Sequence, residues 1–462
     1  MIKNFTKVLS ANFITAIIGF IGSFVFPKIL SIESYALFHE FTLYVGYIGI
    51  LHLGFSSGMA VNYAGKEYEN IDKKQYKTEL KLLYIILLIF TFIFGIIWFI
   101  TKNRMLGFIT LAIFPVCIIN SYKSFYQAWK KFNEYTKISL VCSIFVPLIA
   151  ILYYLFNRNL SGVAYIIIYL LVYWVVLFFL FISDYKKLYN VSTNKIFSID
   201  NLDTEKTGFA LVIGNYINTL FVSADKQFVN IFYGVDEFAF YSFGISMQAL
   251  MTVFINSIAQ PLFPEIATGK ISNNEYSTIK KVLLIFGSLS GIAYFGLSLI
   301  IKIFLPKYIE SLNVISFYFV VFPAMAVINC LYVNMYKIKK LTKKYIITLF
   351  NVLMISILLN IIGIRLFNNF LVVAIATVIT YYIWLIISGL HFKEIMIDYV
   401  DVIFLILYFI IYFLCINLFN DIIGCLVYVI LMFLIIFILY RKILKSVYIK
   451  IKSKLNTLFN KI

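Results

Sequence analysis

Apolar runs of roughly 18–25 residues recur along the whole of this 462-residue chain, each long enough to cross a hydrocarbon layer of about 30 Å. Inside hydrocarbon the backbone has no water to bond, so a spanning segment must be a helix or a strand of a closed barrel. The runs are continuous rather than alternating, which excludes a barrel and predicts an all-α, polytopic integral membrane protein. With 62% of residues hydrophobic and 13% charged, the chain also lacks the polar groups to cover a soluble domain. The first run is followed by many others and reads as a retained span, not a cleaved signal peptide.

The runs and their polar breaks predict about fourteen spans. Six fall near 8–30, 39–61, 80–100, 106–127, 138–157 and 161–183. After a polar linker, six more fall near 207–232, 239–262, 280–304, 312–335, 345–366 and 369–391. Two further spans, near 401–419 and 422–440, precede a basic tail.

The connecting segments alternate in basic content. One set holds KEYENIDKKQYK (66–77), Lys130 and Lys131, the 184–206 linker, KIKKLTKK (337–344) and the tail. Of 39 Lys and Arg residues, about 31 lie on this side and about seven on the other, which assigns the first side and both termini to the cytoplasm. The formal charge of +18 therefore reads as a sorted membrane-protein charge, and no nucleic-acid partner is expected. Loops on the lysine-poor side are short, which weighs against a glycosyltransferase or polymerase with a large external domain. Gly65-Lys66 and Gly269-Lys270 lack the upstream glycine and the following Ser or Thr of a phosphate-binding loop, so ATP hydrolysis by this chain is not expected. The five cysteines, Cys117, Cys142, Cys330, Cys415 and Cys425, lie within apolar runs without ligand spacing and read as small core residues; no metal site is expected.

SIESYALFHEF (31–41) and YGVDEFAFYSF (233–243) resemble each other, each with an acid, an aromatic, Ala and further aromatics. Their offset of about 203 residues equals six spans plus a linker, and an even number of spans returns the chain to the same side. The expected organisation is an N-terminal six-helix lobe and linker (1–206), a second six-helix lobe (207–398), and two extra helices with a basic tail (399–462). The lobes would be parallel repeats around a central cavity.

FVSADKQFVNIF (221–232) sets Asp225 and Lys226 side by side in an apolar span. An intramembrane Lys or Asp costs roughly 2.5–3.5 kcal/mol even on the lenient insertion scale. At helical periodicity Asn215, Thr219, Ser223, Lys226 and Asn230 fall within an arc of about 80°, with Asn218 and Asp225 to one side. Adjacent helical residues do not face one another, so Asp225 and Lys226 need separate partners. Two readings stand: the stripe lines a cavity, or it bridges to another helix. The first span carries Asn12, Thr15, Gly19, Gly22 and Ser23 on one face, which suits either close helix packing or a cavity wall. Lys226, Asn215, Asn218, Thr219, Asn230, Asn12 and Thr15 are the candidate substrate-binding residues. Asp225, Glu40 and His52 are the candidates for coupling to an ion, since buried groups of these types titrate away from their solution values.

The segment FPKILSIESYALFHEFTLYVGYIGILHLGFSSGMAVNYAGK (26–66) resembles the start of Wzx-type polysaccharide flippases, which share a superfamily with lipid II flippases and multidrug-and-toxin extruders. Shared features are a Pro ending the first helix, an aromatic-Ala-aromatic turn, and Leu-Gly-aromatic before a small-residue patch. In the second half Asp225-Lys226, Gly234, Phe238, Tyr241 and Pro264 resemble the family's pattern. The chain departs from it at Ser34 or Ala36, where Gly is usual, and near Asn62, where Arg is common. The resemblance spans about the first 400 residues. It implies a bacterial cytoplasmic-membrane flippase moving an undecaprenyl-pyrophosphate-linked oligosaccharide from the inner to the outer leaflet by alternating access. It further implies no cofactor, coupling to a proton or sodium gradient, and a place beside a polysaccharide polymerase and glycosyltransferases in O-antigen or other surface polysaccharide synthesis. The alternatives are a cation-coupled drug or small-solute exporter of the same fold, and a membrane glycosyltransferase or polymerase.

Overall fold

Helix starts are written into the polar breaks. Asp72 accepts from the backbone N–H groups of Lys74 and Gln75 and starts α4 (Lys73–Thr101). Asn103 does the same for α5 (Arg104–Ala128), and Ser161 for α7 (Gly162–Leu188). Each cap satisfies N–H groups that the first turn leaves open. Helix ends carry a second signature: Lys102, Lys130, Arg158 and Lys340 follow helices in the left-handed region, with φ of 53° to 58°. A cation there lies at the negative end of the helix dipole.

A computed structural model describes residues 18–193, 199–268 and 271–441, excepting the side chains of 199–207, 210, 211, 260, 261 and 264. Every regular element among the described residues is helical. Before α4 come the described part of α1 (Ile18–Ile29), α2 (Ile32–Tyr47) and α3 (Phe55–Asn62). After α5 come α6 (Phe132–Asn157), α7, α8 (Ile199–Phe232) and α9 (Val235–Ala267). Next are α10 (Asn273–Ser288), α11 (Ser290–Phe304), α12 (Ser311–Val320), α13 (Phe322–Val327) and α14 (Val333–Ile338). The last four are α15 (Thr342–Leu366), α16 (Leu371–His391), α17 (Tyr399–Leu418) and α18 (Asp421–Leu439).

Among the described residues ten helices, or up to twelve spans if each of two bent pairs counts as one, have the length and apolarity to span a bilayer. The α1 segment, partly described, and α8, whose polar stripe lowers its apolarity, complete the fourteen runs of the sequence. This is a multi-pass α-helical membrane fold. Two spans are broken where the hydropathy is continuous: α2 passes through one 3₁₀ turn (Ile48–His52) to α3 at 63°, and α12 bends by 45° into the segment ending at Ile338.

The chain forms two compact units, Met1–Ser242 and Phe243–Ile462. In the first, α5 is the central post, with 78% of its apolar window buried. Two carboxylates are buried beside it and each is taken by a tyrosine: Glu79 by Tyr63, and Asp184 by Tyr122. In the first unit α3 also crosses α8 at very close range. A Cβ on Gly208 would strike the Gly54 carbonyl and the Gly58 nitrogen, and one on Gly54 would strike the backbone of Phe209. Gly54 also has φ +86°, a conformation glycine adopts without steric cost. By contrast, a Cβ on Gly19 would meet nothing within 4 Å among the described residues.

In the second unit the post is the segment from α12 to α14. Residues Phe322–Val327 are all buried, and a π-turn (Ile328–Tyr332) follows. Cys330 and Asn334 near that turn donate to the carbonyls of Ile255 and Ala259 in α9. The last two helices are pinned by polar contacts. Lys280 of α10 pairs with Asp401 of α17, with side chains 2% and 0% exposed, and also donates to the Met396 carbonyl at 2.7 Å. Tyr440 donates to the same carboxylate at 2.9 Å. Between α10 and α11 the helix breaks at Leu289, and the Ser288 carbonyl there accepts from the Tyr428 hydroxyl of α18.

Candidate functional site

The polar stripe of α8 lies against α2, within the first unit. Ser223 donates to the Tyr47 hydroxyl at 3.1 Å, and Asn230 to the Tyr44 hydroxyl at 3.3 Å. Between these positions on α8, Lys226 places Nζ 3.0 Å from His39 Nδ1 and 3.3 Å from the His39 carbonyl oxygen. When Lys226 is protonated its ammonium can only donate, so Nδ1 then accepts and the ring proton sits on Nε2. The Phe238 ring lies 5.6 Å from the same Nζ, within the range of a cation–π contact. His39 is itself held between Tyr35 and Phe38, with ring centroids at 4.3 and 5.4 Å.

Next to this contact is a cavity of about 700 Å³ lined by Glu33, Glu40, Asn230, Asp236, Glu237 and Phe238, among others. The two similar sequence stretches meet here, as the first turns of α2 and α9 contribute its acids. Four carboxylates therefore face the space, and Lys226 stands behind Phe238 and His39 rather than on its wall. A second cavity of about 440 Å³ shares Glu40 and adds Tyr44, Tyr47, Tyr216 and Asn103 to an otherwise apolar lining. Glu40 is the one acid common to both.

Of the candidates named from sequence, the structure brings together Lys226, Asn230 and Glu40. Asp225 is buried on the flank of the stripe, at 4% exposure. Asn215 and Asn218 are exposed, and Thr219 donates to the Asn215 carbonyl of its own helix at 3.0 Å. His52 lies apart, at the α2–α3 break, where Nδ1 accepts from the Gly54 N–H at 3.1 Å; in this state it caps a turn. Asn12 and Thr15 lie outside the described residues. Tyr44 and Tyr47 were not singled out. A signal existed: Glu40, Tyr44 and Tyr47 fall at i, i+4 and i+7, one face of a helix.

The sequence matches no protein-family profile and no curated protein. Among solved structures, the chain is similar to one described as lipid II flippase MurJ in an inward closed conformation. The TM-score is 0.66 with 18% sequence identity, over 95% of this chain and 99% of that one. The likeness is one of fold.

Proposed function

We propose that this chain is a flippase for a lipid-linked oligosaccharide, carrying an undecaprenyl-pyrophosphate-linked repeat unit from the inner to the outer leaflet for surface polysaccharide synthesis. The observation that carries this reading is the fold: 95% of the chain follows a protein named for flipping a lipid-linked substrate. In this reading the protein is a transporter and not an enzyme. It sits in the bacterial cytoplasmic membrane with both termini inside, and works next to a polymerase and glycosyltransferases.

A diphosphate head group crosses hydrocarbon only where cations and dipoles replace its water. Lys226 is the intramembrane cation for that task, with Asn230, Asn215, Asn218 and Thr219 along the same helix. His39 and Phe238 hold its ammonium when no anion competes. Glu40, between the two cavities, is the first choice for the proton or sodium ion that drives the cycle, ahead of Asp225 and His52. One observation favours a second reading: the larger cavity is lined by four carboxylates, which suits a cation-coupled exporter of cationic solutes.

The test is transport by the full-length protein in proteoliposomes, with fluorescent lipid-linked oligosaccharide in one arm and a cationic dye in the other. Movement of the lipid-linked sugar, and restored surface polysaccharide in a strain lacking its own flippase, is the expected result. Dye movement without lipid movement would reject the flippase in favour of the exporter.

A further inference from the structure

The smaller cavity beside Glu40 is built unlike the larger one. It measures about 440 Å³, within the roughly 300–1,000 Å³ of small-molecule sites, and its lining residues all belong to the first unit. Four aromatic side chains from three helices line it: Tyr44 and Tyr47 of α2, Phe94 of α4 and Tyr216 of α8. The Tyr44 and Tyr47 rings meet at 70° with centroids 6.3 Å apart, so together they form an L-shaped corner. Glu40 and Asn103 supply the other polar groups, and the rest of the wall is aliphatic apart from Met105.

The polar groups differ in what they offer a ligand. Asn103 spends its side-chain oxygen on the Met105 and Leu106 N–H groups as the α5 cap, which leaves its amide nitrogen as a donor. The Tyr44 hydroxyl accepts from Asn230, so its own hydrogen is left to donate. Glu40 adds an acceptor. An acyl chain in this space would bury all of these groups without partners, which is costly. An ammonium would be answered by Glu40 but would set donor against donor at Asn103. A pyranose ring suits both parts of the wall. Its hydroxyls donate and accept, and its C–H face carries the slight positive charge that the negative face of an aromatic ring attracts. The position agrees with this. Tyr47 and Tyr44 are bonded to Ser223 and Asn230, which lie about one helical turn to either side of Lys226. In a lipid-linked oligosaccharide the first sugar is joined directly to the diphosphate, so a site for it belongs next to the cation.

We propose that this pocket is the subsite for the sugar joined to the diphosphate, stacked against Tyr216 and the Tyr44–Tyr47 corner, with its hydroxyls bonded to Glu40 and Asn103. The inference rests on the flippase reading and adds a determinant of specificity to it. Lys226 serves the diphosphate that all such substrates share, whereas the pocket selects the sugar.

The test is native mass spectrometry of the full-length protein in a detergent without a sugar head group. The probes are undecaprenyl diphosphate and the same lipid carrying glucose, galactose or N-acetylglucosamine. Wild type should bind at least one sugar-bearing lipid about tenfold more tightly than the bare diphosphate, the gain that one ring contact and one hydrogen bond provide together. Tyr216→Leu, which keeps an apolar side chain, should bring that lipid down to the affinity of the bare one. Asn103→Ser, which keeps the α5 cap but is too short to reach the sugar, should reduce the gain several-fold and serves if Tyr216→Leu does not fold. Lys226→Ala should weaken all the lipids alike. Equal affinity of wild type for bare and sugar-bearing lipids, or a gain that both pocket variants keep, would overturn the pocket and leave the flippase reading standing. Binding of none of the lipids would overturn that reading itself. Binding of tetraphenylphosphonium that Tyr216→Leu weakens, with no gain from any sugar, would reassign the pocket to organic cations.

Discussion

Lys226 and His39 form the contact on which the proposed transport chemistry turns. A lysine in this position needs a partner at every stage of a cycle, because an unpartnered ammonium in hydrocarbon is costly. The imidazole Nδ1, the His39 carbonyl and the Phe238 ring supply that partner in the present state. A phosphate would have to compete with them, and it offers the ammonium a full negative charge where the imidazole, the carbonyl and the ring offer only dipoles. Lys226→Ala should therefore abolish lipid movement in proteoliposomes while the protein still inserts, and Lys226→Arg should retain part of the rate. His39→Ala should slow transport more than His39→Gln, whose side-chain oxygen can still accept from the ammonium. Equal rates for the two His39 variants would mean that the acceptor has no role. Glu40→Gln should make the rate insensitive to an imposed proton or sodium gradient, if this acid is where the gradient acts.

Two helix contacts hold the units in shape. The first is the glycine crossing of α3 and α8. Replacing Gly208 with Leu puts a side chain where the Gly54 carbonyl sits, so the helices must separate. Overpacking of this kind costs about 1–3 kcal/mol, and a lowered melting temperature in detergent with weakened transport is the expected outcome. The second is the α10–α17 ion pair. Asp401→Asn leaves Lys280 as an uncompensated buried charge, which costs about 3–5 kcal/mol, and thermal unfolding should show that loss. Its neighbour Asp398 caps α17 outside the membrane-spanning segment. Burial alone would raise its pKa, but the Lys281 ammonium at 2.8 Å, the Asp401 N–H and the Lys280 charge together hold it below the ordinary 3.8. A depressed carboxylate contributes stability that is fully present above its unfolded value and is lost as pH falls through its folded one. Asp398→Asn should thus lower the melting temperature at neutral pH and reduce the part of its decline below about pH 4 that this carboxylate contributes.

For the molecule as a whole, the alternation of basic segments makes a prediction of its own. Reporter fusions after residues 188, 270 and 340 should report the cytoplasm, and fusions after 102, 158 and 367 the opposite side. A reversed pattern would invert the transport direction proposed above. Most of the span layout was legible because hydrophobic length is a one-dimensional property, read directly from runs of residues. The bends between α2 and α3 and after α12 were not, since hydropathy continues across them and only tertiary contacts fix them. The stripe on α8 was legible for the same periodic reason. Its partner was not, because the polar face of α2 is made of tyrosines in a chain that holds 35 of them, and helix pairing is not a local property. The interruption of the ninth span at Leu289, between α10 and α11, also bears on biosynthesis. The Ser288 carbonyl is answered by a hydroxyl 140 positions later, so during translation this span enters the bilayer with an open acceptor and waits. A nascent chain halted before its final helix would keep that blemish, a mark by which a membrane protease could tell an unfinished product from a finished one.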